Sequence, residues 1–181
     1  MLKFVVGDLP AEPDQSVIPG ALRPLPAVPA NWKDLMANRM VFEVQRGSGG
    51  GEIEWLINGQ AFDAANVVRS LKNPAGKTPL AQQKIGSYNL WELRNASGGW
   101  VHPMHLHMEE HRVVKRNDKV ITGPTNARPD GDGKEDVIGL DPGESVIVFR
   151  HFRDFTGSYV AHCHNLAHED HAMMFSWEVI P

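Results

Sequence analysis

The sequence predicts an all-β protein, an antiparallel sandwich or barrel. Three observations lead there. Short runs of residues alternate apolar and polar side chains, the two-residue period of a half-buried strand. Clusters of Gly, Pro, Asn and Asp punctuate these runs, as in "GSGGG", "NASGG", "RPDGDG" and "DPGE". Helical patterning is confined to "AANVVRSLKN" (64–73) and the stretch after Cys163.

Taken in order, "LKFVV" near the start is strand-like but has no neighbour in sequence to pair with. It reads as the end of a preceding domain, and residues 1–9 are set apart on that ground. Residues 10–30, "PAEPDQSVIPGALRPLPAVPA", hold six of the chain's 13 prolines. Proline fixes φ and removes a hydrogen-bond donor, so this segment is an extended, semi-rigid linker. Residues 31–181 form the domain proper. Its strands are "RMVFEVQR", "EIEWLING", "YNLWELRN", "HRVVKR", "DKVIT", "DVIGL", "SVIVFRHF", "SYVAHC" and "MFSWEVI". The Gly/Asp-rich "TGPTNARPDGDGKED" (122–136) reads as a long exposed loop whose acids do not follow the calcium-loop spacing. This loop and the segment 64–82 are candidates to shape a substrate surface.

Bulk properties exclude several classes. Hydrophobic content of 41% and charged content of 22% are those of a soluble globular chain. A net charge of -4 and the lack of any Lys/Arg-rich run argue against a nucleic-acid partner. No apolar stretch is long enough to cross a bilayer, so no membrane partner is expected. The apolar run at the N-terminus is too short for a signal-peptide core. The chain is therefore cytosolic, a mature form, or a piece of something longer. A single cysteine excludes an internal disulfide and makes Cys163 one assignable thiol.

Two motifs carry chemistry: "HPMHLH" (102–107) and "HCHNLAHEDHAMM" (162–174). Successive side chains on a strand point to opposite faces. His162 and His164 then share one face and Cys163 takes the other. His105 and His107 share a face, with His102 opposite them. If the two strands are neighbours, two sites lie back to back. One holds His102 and Cys163, completed by His168 and Met173 just past the strand. Two imidazoles, a thiolate and a weak thioether are the donors of a blue-copper electron-transfer site. Zinc would favour more thiolates or a carboxylate. The other site holds His105, His107, His162 and His164, imidazoles suited to copper that meets oxygen. Cys163 is covalently next to both His162 and His164, a short through-bond route between sites. His111, His151 and His171 fit neither group and are expected near the sites or at the surface. Met104 and Met108 are expected to pack, and Met173 is preferred over Met174 as the thioether. Trp55, Trp91, Trp100 and Trp177 are expected in the core. A cupin is disfavoured because "HLHMEEHRVV" has its glutamates too early.

These motifs resemble the third and fourth copper signatures of multicopper oxidases, HxxHxH and HCHxxxHxxxxM. The closing "HEDHAMM" resembles the bilirubin oxidase and spore-coat laccase branch. The resemblance covers residues 31–181 and implies a C-terminal cupredoxin domain, a Greek-key β-sandwich. It implies that His102, Cys163, His168 and Met173 bind type 1 copper. His105 would bind type 2 copper, and His107, His162 and His164 the type 3 pair. Glu169 would stand near the trinuclear site and deliver protons. The implied activity takes single electrons from a phenolic, tetrapyrrole or metal-ion donor and reduces oxygen to water. Such enzymes are commonly exported. The family's trinuclear site also needs four histidines from two further HxH motifs, and this chain has HxH only at 105–107 and 162–164. A partner domain or chain must supply them. The alternatives are a stand-alone blue-copper electron carrier and a copper-storage protein.

Overall fold

The computed structural model describes residues 2–8, 11–20, 27–49, 52–63, 80–123, 130 and 133–181. Residues 64–79, with the expected helical turn at 64–73, lie outside the described residues, as does much of the 122–136 loop. Among the described residues are eleven strands: β1 (Met40–Gly49), β2 (Glu52–Ile57), β3 (Ala81–Lys84), β4 (Tyr88–Asn95), β5 (His102–Leu106), β6 (Arg112–Arg116), β7 (Lys119–Val120), β8 (Val137–Leu140), β9 (Ser145–His151), β10 (Gly157–Cys163) and β11 (Met174–Ile180). A 3-10 helix, Trp32–Asn38, precedes them, and a short helix α1, Leu166–Asp170, joins β10 to β11. No helix among the described residues is long and apolar enough to cross a membrane.

The strands form two sheets. The first has the order β2-β1-β4-β9-β6-β7 and the second β3-β11-β10-β5-β8. Most connections cross from one sheet to the other, so spatial neighbours are mostly not sequence neighbours; the hairpins β1–β2, β6–β7 and β10–β11 are the exceptions. Of the sandwich or barrel that the strand pattern and turn spacing predict, this is the sandwich, the all-β Greek-key form that the resemblance implies. Two pairs depart from the antiparallel expectation: β1 runs parallel to β4, and β3 parallel to β11. The sequence reading also passed over β3. Its "AQQK" has no apolar alternation, yet Ala81 and Gln83 turn inward because they lie against β11 at a sheet edge.

The core lies between the sheets. Phe42 of β1 stacks on Phe175 of β11 at 4.3 Å between ring centres. Trp91 of β4 meets Trp177 of β11 edge-on at 5.1 Å. Such aromatic pairs bury large apolar areas and fix the separation of the layers. The first sheet is covered on its outer face too. Trp32, Leu35 and Met36 of the 3-10 helix pack on Leu90, Val114, Ile147 and Phe149. Burial of both faces explains the continuous apolar run "VIVF" in β9. Val28, from the end of the proline-rich segment, joins this outer cluster. Residues 2–8 make no strand pairing, and Leu2, Phe4, Val5 and Val6 are exposed.

Glu92 is the acid within β4. It accepts hydrogen bonds from Arg39, Arg94 and Ser145. Burial alone would raise its pKa, but Arg94, Arg39 and Ser145 outweigh burial and hold it down at about 2. A depressed carboxyl pKa stabilises the fold above the unfolded value of 4.5, and that stability is lost as pH falls toward 2. Glu92→Gln is therefore expected to cost on the order of 1–3 kcal/mol at pH 7 and little at pH 2. Urea denaturation of both proteins across pH 2 to 7 checks this; an equal deficit at both ends would refute it.

Candidate metal centre

The site is built on the antiparallel pair β5–β10. Its register sets His162 opposite His105, Cys163 opposite Met104 and Ala161 opposite Leu106. Residues directly opposite share a face. His102, Met104 and Leu106 point into the sandwich with Ala161 and Cys163, and all are buried. His105 and His162 point outward. The same rule separates the two methionines. Met174 pairs with His162, whereas Met173 is fully buried in the core, and its carbonyl accepts the Cys163 N–H. Met173 therefore lies on the Cys163 side.

The inner group is His102, Cys163 and His168. Cys163 Sγ lies 3.6 Å from His102 Nδ1 and 3.7 Å from His168 Nδ1, and the two Nδ1 atoms are 3.1 Å apart. Donors bound to one ion at about 2.0–2.3 Å stand this far from one another, so the three fit a single metal ion. Helix α1 delivers His168. The Asn165 side chain caps α1 by accepting the Ala167 N–H, while the Asn165 N–H points at Cys163 Sγ at 3.5 Å. Ala172, at φ 68°, turns the chain back so that the Met173 N–H reaches the His168 carbonyl. Burial, then the neighbouring His168, lowers His102 to about 4. Burial pushes the Cys163 thiol up to about 11, against the Asn165 N–H. Without metal the pocket holds neutral imidazoles and a thiol. A metal cation supplies the charge that would hold the thiolate.

Trp55 is buried and packs on His168 at 4.0 Å between ring centres. Trp100 departs from the core expectation. It is 47% exposed and touches His168 and Trp55 by its edge. "GGW" ends a turn at the rim of the sandwich, where one side of the ring has no layer to cover it.

The outer group is His105, His107 and His162, whose donor atoms lie within 4.8 Å of one another. His107 Nε2 is 3.1 Å from His162 Nε2. His105 Nδ1 bonds the Asp136 carbonyl at 2.9 Å, which leaves its Nε2 available. His164 is exposed beside them, its ring 5.4 Å from His162 and 5.6 Å from His105. Glu169 follows His168 on α1 and faces the other way, with its carboxylate 3.4 Å from His162 Nδ1. Burial, then His105 and His162, lowers His107, with Glu169 opposing. Clustered imidazoles with a carboxylate nearby are suited to receive a cation.

Arg150 lies outside both histidine motifs. It belongs to β9 and points inward, fully buried, with its guanidinium 4.3 Å from the Trp91 ring and 4.6 Å from Trp177. Its Nη2 donates to the carbonyls of His107 (2.7 Å) and Glu109 (2.9 Å). Those carbonyls flank Met108, which has φ 78°. A non-glycine residue there costs on the order of 1–2 kcal/mol, so the buried cation holds a strained turn just after His107. A signal was available: Arg150 has the strand parity of Val146 and Val148. His111, expected near the sites or at the surface, is fully buried, and neither ring nitrogen has a hydrogen-bond partner among the described residues. Burial first, then Arg150, pushes it down to about 3. His151 stacks on Tyr88 away from both groups.

A family model described as multicopper oxidase matches residues 57–181. The bilirubin oxidase of Albifimbria verrucaria is 38% identical over 188 residues, covering 100% of this chain and 28% of that protein. The laccase of Haloferax volcanii is 34% identical, covering 99% of this chain and 28% of its own length. Among solved structures, the Aquifex aeolicus McoA multicopper oxidase superposes with TM-score 0.64 at 22% identity, over 91% of this chain and 33% of that one. A multicopper oxidase of Pediococcus acidilactici gives TM-score 0.63 at 24% identity, over 92% and 30%. The sandwich is of the cupredoxin type. The chain spans 28% of the length of each of the two relatives named above.

Removing the buried cation tests its part in holding the turn. Arg150→Met is expected to speed amide hydrogen exchange at 107–111 and to cost on the order of 1–3 kcal/mol, since two buried carbonyls lose a donor. Arg150→Lys recovers part of both. Unchanged exchange at 107–111 in Arg150→Met would show that the turn holds itself.

Proposed function

The chain belongs to the multicopper oxidase family, and on that footing we propose that it is the C-terminal copper-binding domain of a laccase-like donor:oxygen oxidoreductase. The observation that carries this reading is the buried triangle of His102, Cys163 and His168 set back to back with an outward imidazole cluster on one strand pair. The inner donors, with Met173, would hold a type 1 copper. Their softness and burial fit an ion that cycles between two oxidation states. His105 would hold a type 2 copper, and His107, His162 and His164 a type 3 pair. Copper bound there supplies one-electron oxidation of a donor at the inner site and reduction of oxygen to water at the outer one.

The chain's residues provide the framework. Cys163 faces inward, while its neighbours His162 and His164 belong to the outward cluster. Two residues of main chain thus join the sites. Trp55 and the sandwich core keep water from the inner donors. Glu169, within reach of His162 and one quarter exposed, would carry protons between solvent and the outer cluster. The relatives named bilirubin oxidase and laccase support a small phenolic or tetrapyrrole donor.

The outer cluster is half of a trinuclear site. Four more histidines would come from an N-terminal cupredoxin domain or another chain, and the limited share of each relative that this chain covers accords with that. Residues 1–9 would complete a strand of that preceding domain and residues 10–30 would link the two. The unpaired, exposed Leu2, Phe4, Val5 and Val6 support this, since such a run needs a partner layer. By resemblance the enzyme would be exported.

Copper titration of the reduced chain, followed by visible absorption, tests the inner site. An intense thiolate-to-copper band saturating at one equivalent is expected, and Cys163→Ser should abolish it. Colourless binding by the intact chain would overturn the assignment. If the band forms and no partner domain ever restores oxygen consumption, the stand-alone electron carrier becomes the better reading. In a reconstituted assembly, Glu169→Gln should slow oxygen consumption on the order of 100-fold, as loss of a proton-transfer group does. The visible band should stay unchanged; full turnover would remove Glu169 from proton delivery.

A further inference from the structure

We propose that Asn95 and Ser97 form a polar relay that holds the His102 ring in the one tautomer able to bind a metal through Nδ1. This rests on the inner group being a metal site, and it gives two residues of the "NASGG" turn a positioning role.

Asn95 closes β4 and is buried, as is Ser97. Its Nδ2 faces two main-chain carbonyls, Trp100 at 2.7 Å and Leu140 at 3.1 Å. Carbonyls only accept, so the amide nitrogen must lie on that side and Oδ1 on the other. Oδ1 accepts the Ser97 N–H at 3.0 Å and is 2.7 Å from Ser97 Oγ. Oδ1 has no proton to give, so the single hydroxyl proton of Ser97 is committed to it. What Ser97 Oγ then offers to His102 Nε2, 2.7 Å away, is a lone pair. His102 must carry its proton on Nε2. Nδ1, the nitrogen that faces Cys163 Sγ and His168 Nδ1, is left with its lone pair free.

The relay thus selects the tautomer before any metal arrives. It also fixes the ring plane, since a 2.7 Å contact between two buried groups allows little rotation. The carbonyls that orient Asn95 belong to Trp100, two residues before His102, and to Leu140, which pairs with His102 across β5–β8. The relay and its target are therefore anchored to the same strands. Partners of this kind behind a metal-binding histidine commonly contribute 10–100-fold to affinity. The competing role is structural: Asn95 and Ser97 would then only staple the 95–101 turn.

Two measurements on the full-length chain separate these roles. In the metal-free, 15N-labelled protein, long-range 1H–15N spectra report which nitrogen of His102 bears the proton. Wild type is expected to show Nε2–H alone, and Nδ1–H in wild type would overturn the relay without any variant. Ser97→Ala is expected to populate the Nδ1–H form and to weaken copper binding at the inner site by 10–100-fold. Ser97→Thr keeps a hydroxyl and should restore both. A folded Ser97→Ala that keeps Nε2–H and binds copper within about twofold of wild type would leave the pair a turn staple only. If wild type forms no thiolate-to-copper band, the metal reading fails, and the metal-free tautomer spectrum still decides the relay.

Discussion

The pairing of β5 with β10 is the constraint on which the rest of the site depends. Opposite residues share a face, and adjacent residues do not. With Cys163 set against Met104 and His162 against His105, the chain separates a soft, buried donor set from an outward imidazole set across the thickness of one sheet. A slip of one residue in β10 would turn Cys163 outward and His162 into the core. The buried Ala161 and Cys163 oppose that slip because both would be exposed by it, and Met104 and Leu106 on β5 would lose their inward-facing partners. Burial of ordinary core residues thus sets the register that sorts the histidines.

A second consequence is a set of polar groups buried within the sandwich, His102 and His168 toward one end and His111 and Arg150 toward the other. Each is accommodated differently. His102 is hydrogen-bonded through Ser97 to Asn95. Arg150 lies among aromatic rings and spends two of its hydrogen bonds on the turn after His107. Burial favours the neutral form of His111. These groups join the first sheet, through β4 and β9, to the strands that carry the donors. The site is a product of both layers, although nearly all its donors come from the second. Helix α1 adds economy of another kind: His168 turns inward from it and its neighbour Glu169 turns outward, so one short element serves both faces.

Much of this was legible from sequence because it depends on local geometry. The two-residue period of a strand sets His105 and His107 on one face with His102 opposite, and His162 and His164 on one face with Cys163 opposite; that the two strands adjoin is decided by the pairing of β5 with β10. The strands and the turns between them followed from the same period and from Gly, Pro, Asn and Asp. Arg150 was legible in principle, since it has the parity of core-facing Val146 and Val148, but its charge argued for the surface. What tertiary structure alone decided involves residues far apart in the chain. The parallel pairing of β1 with β4 and of β3 with β11 arises because connections cross between sheets. The exposure of Trp100 and the burial of His111 depend on where the layers end. The tautomer of His102 depends on carbonyls of Trp100 and Leu140 brought together around one amide. A strand's alternation is set by its own backbone, whereas a buried polar group's partners are set by which strands close over it.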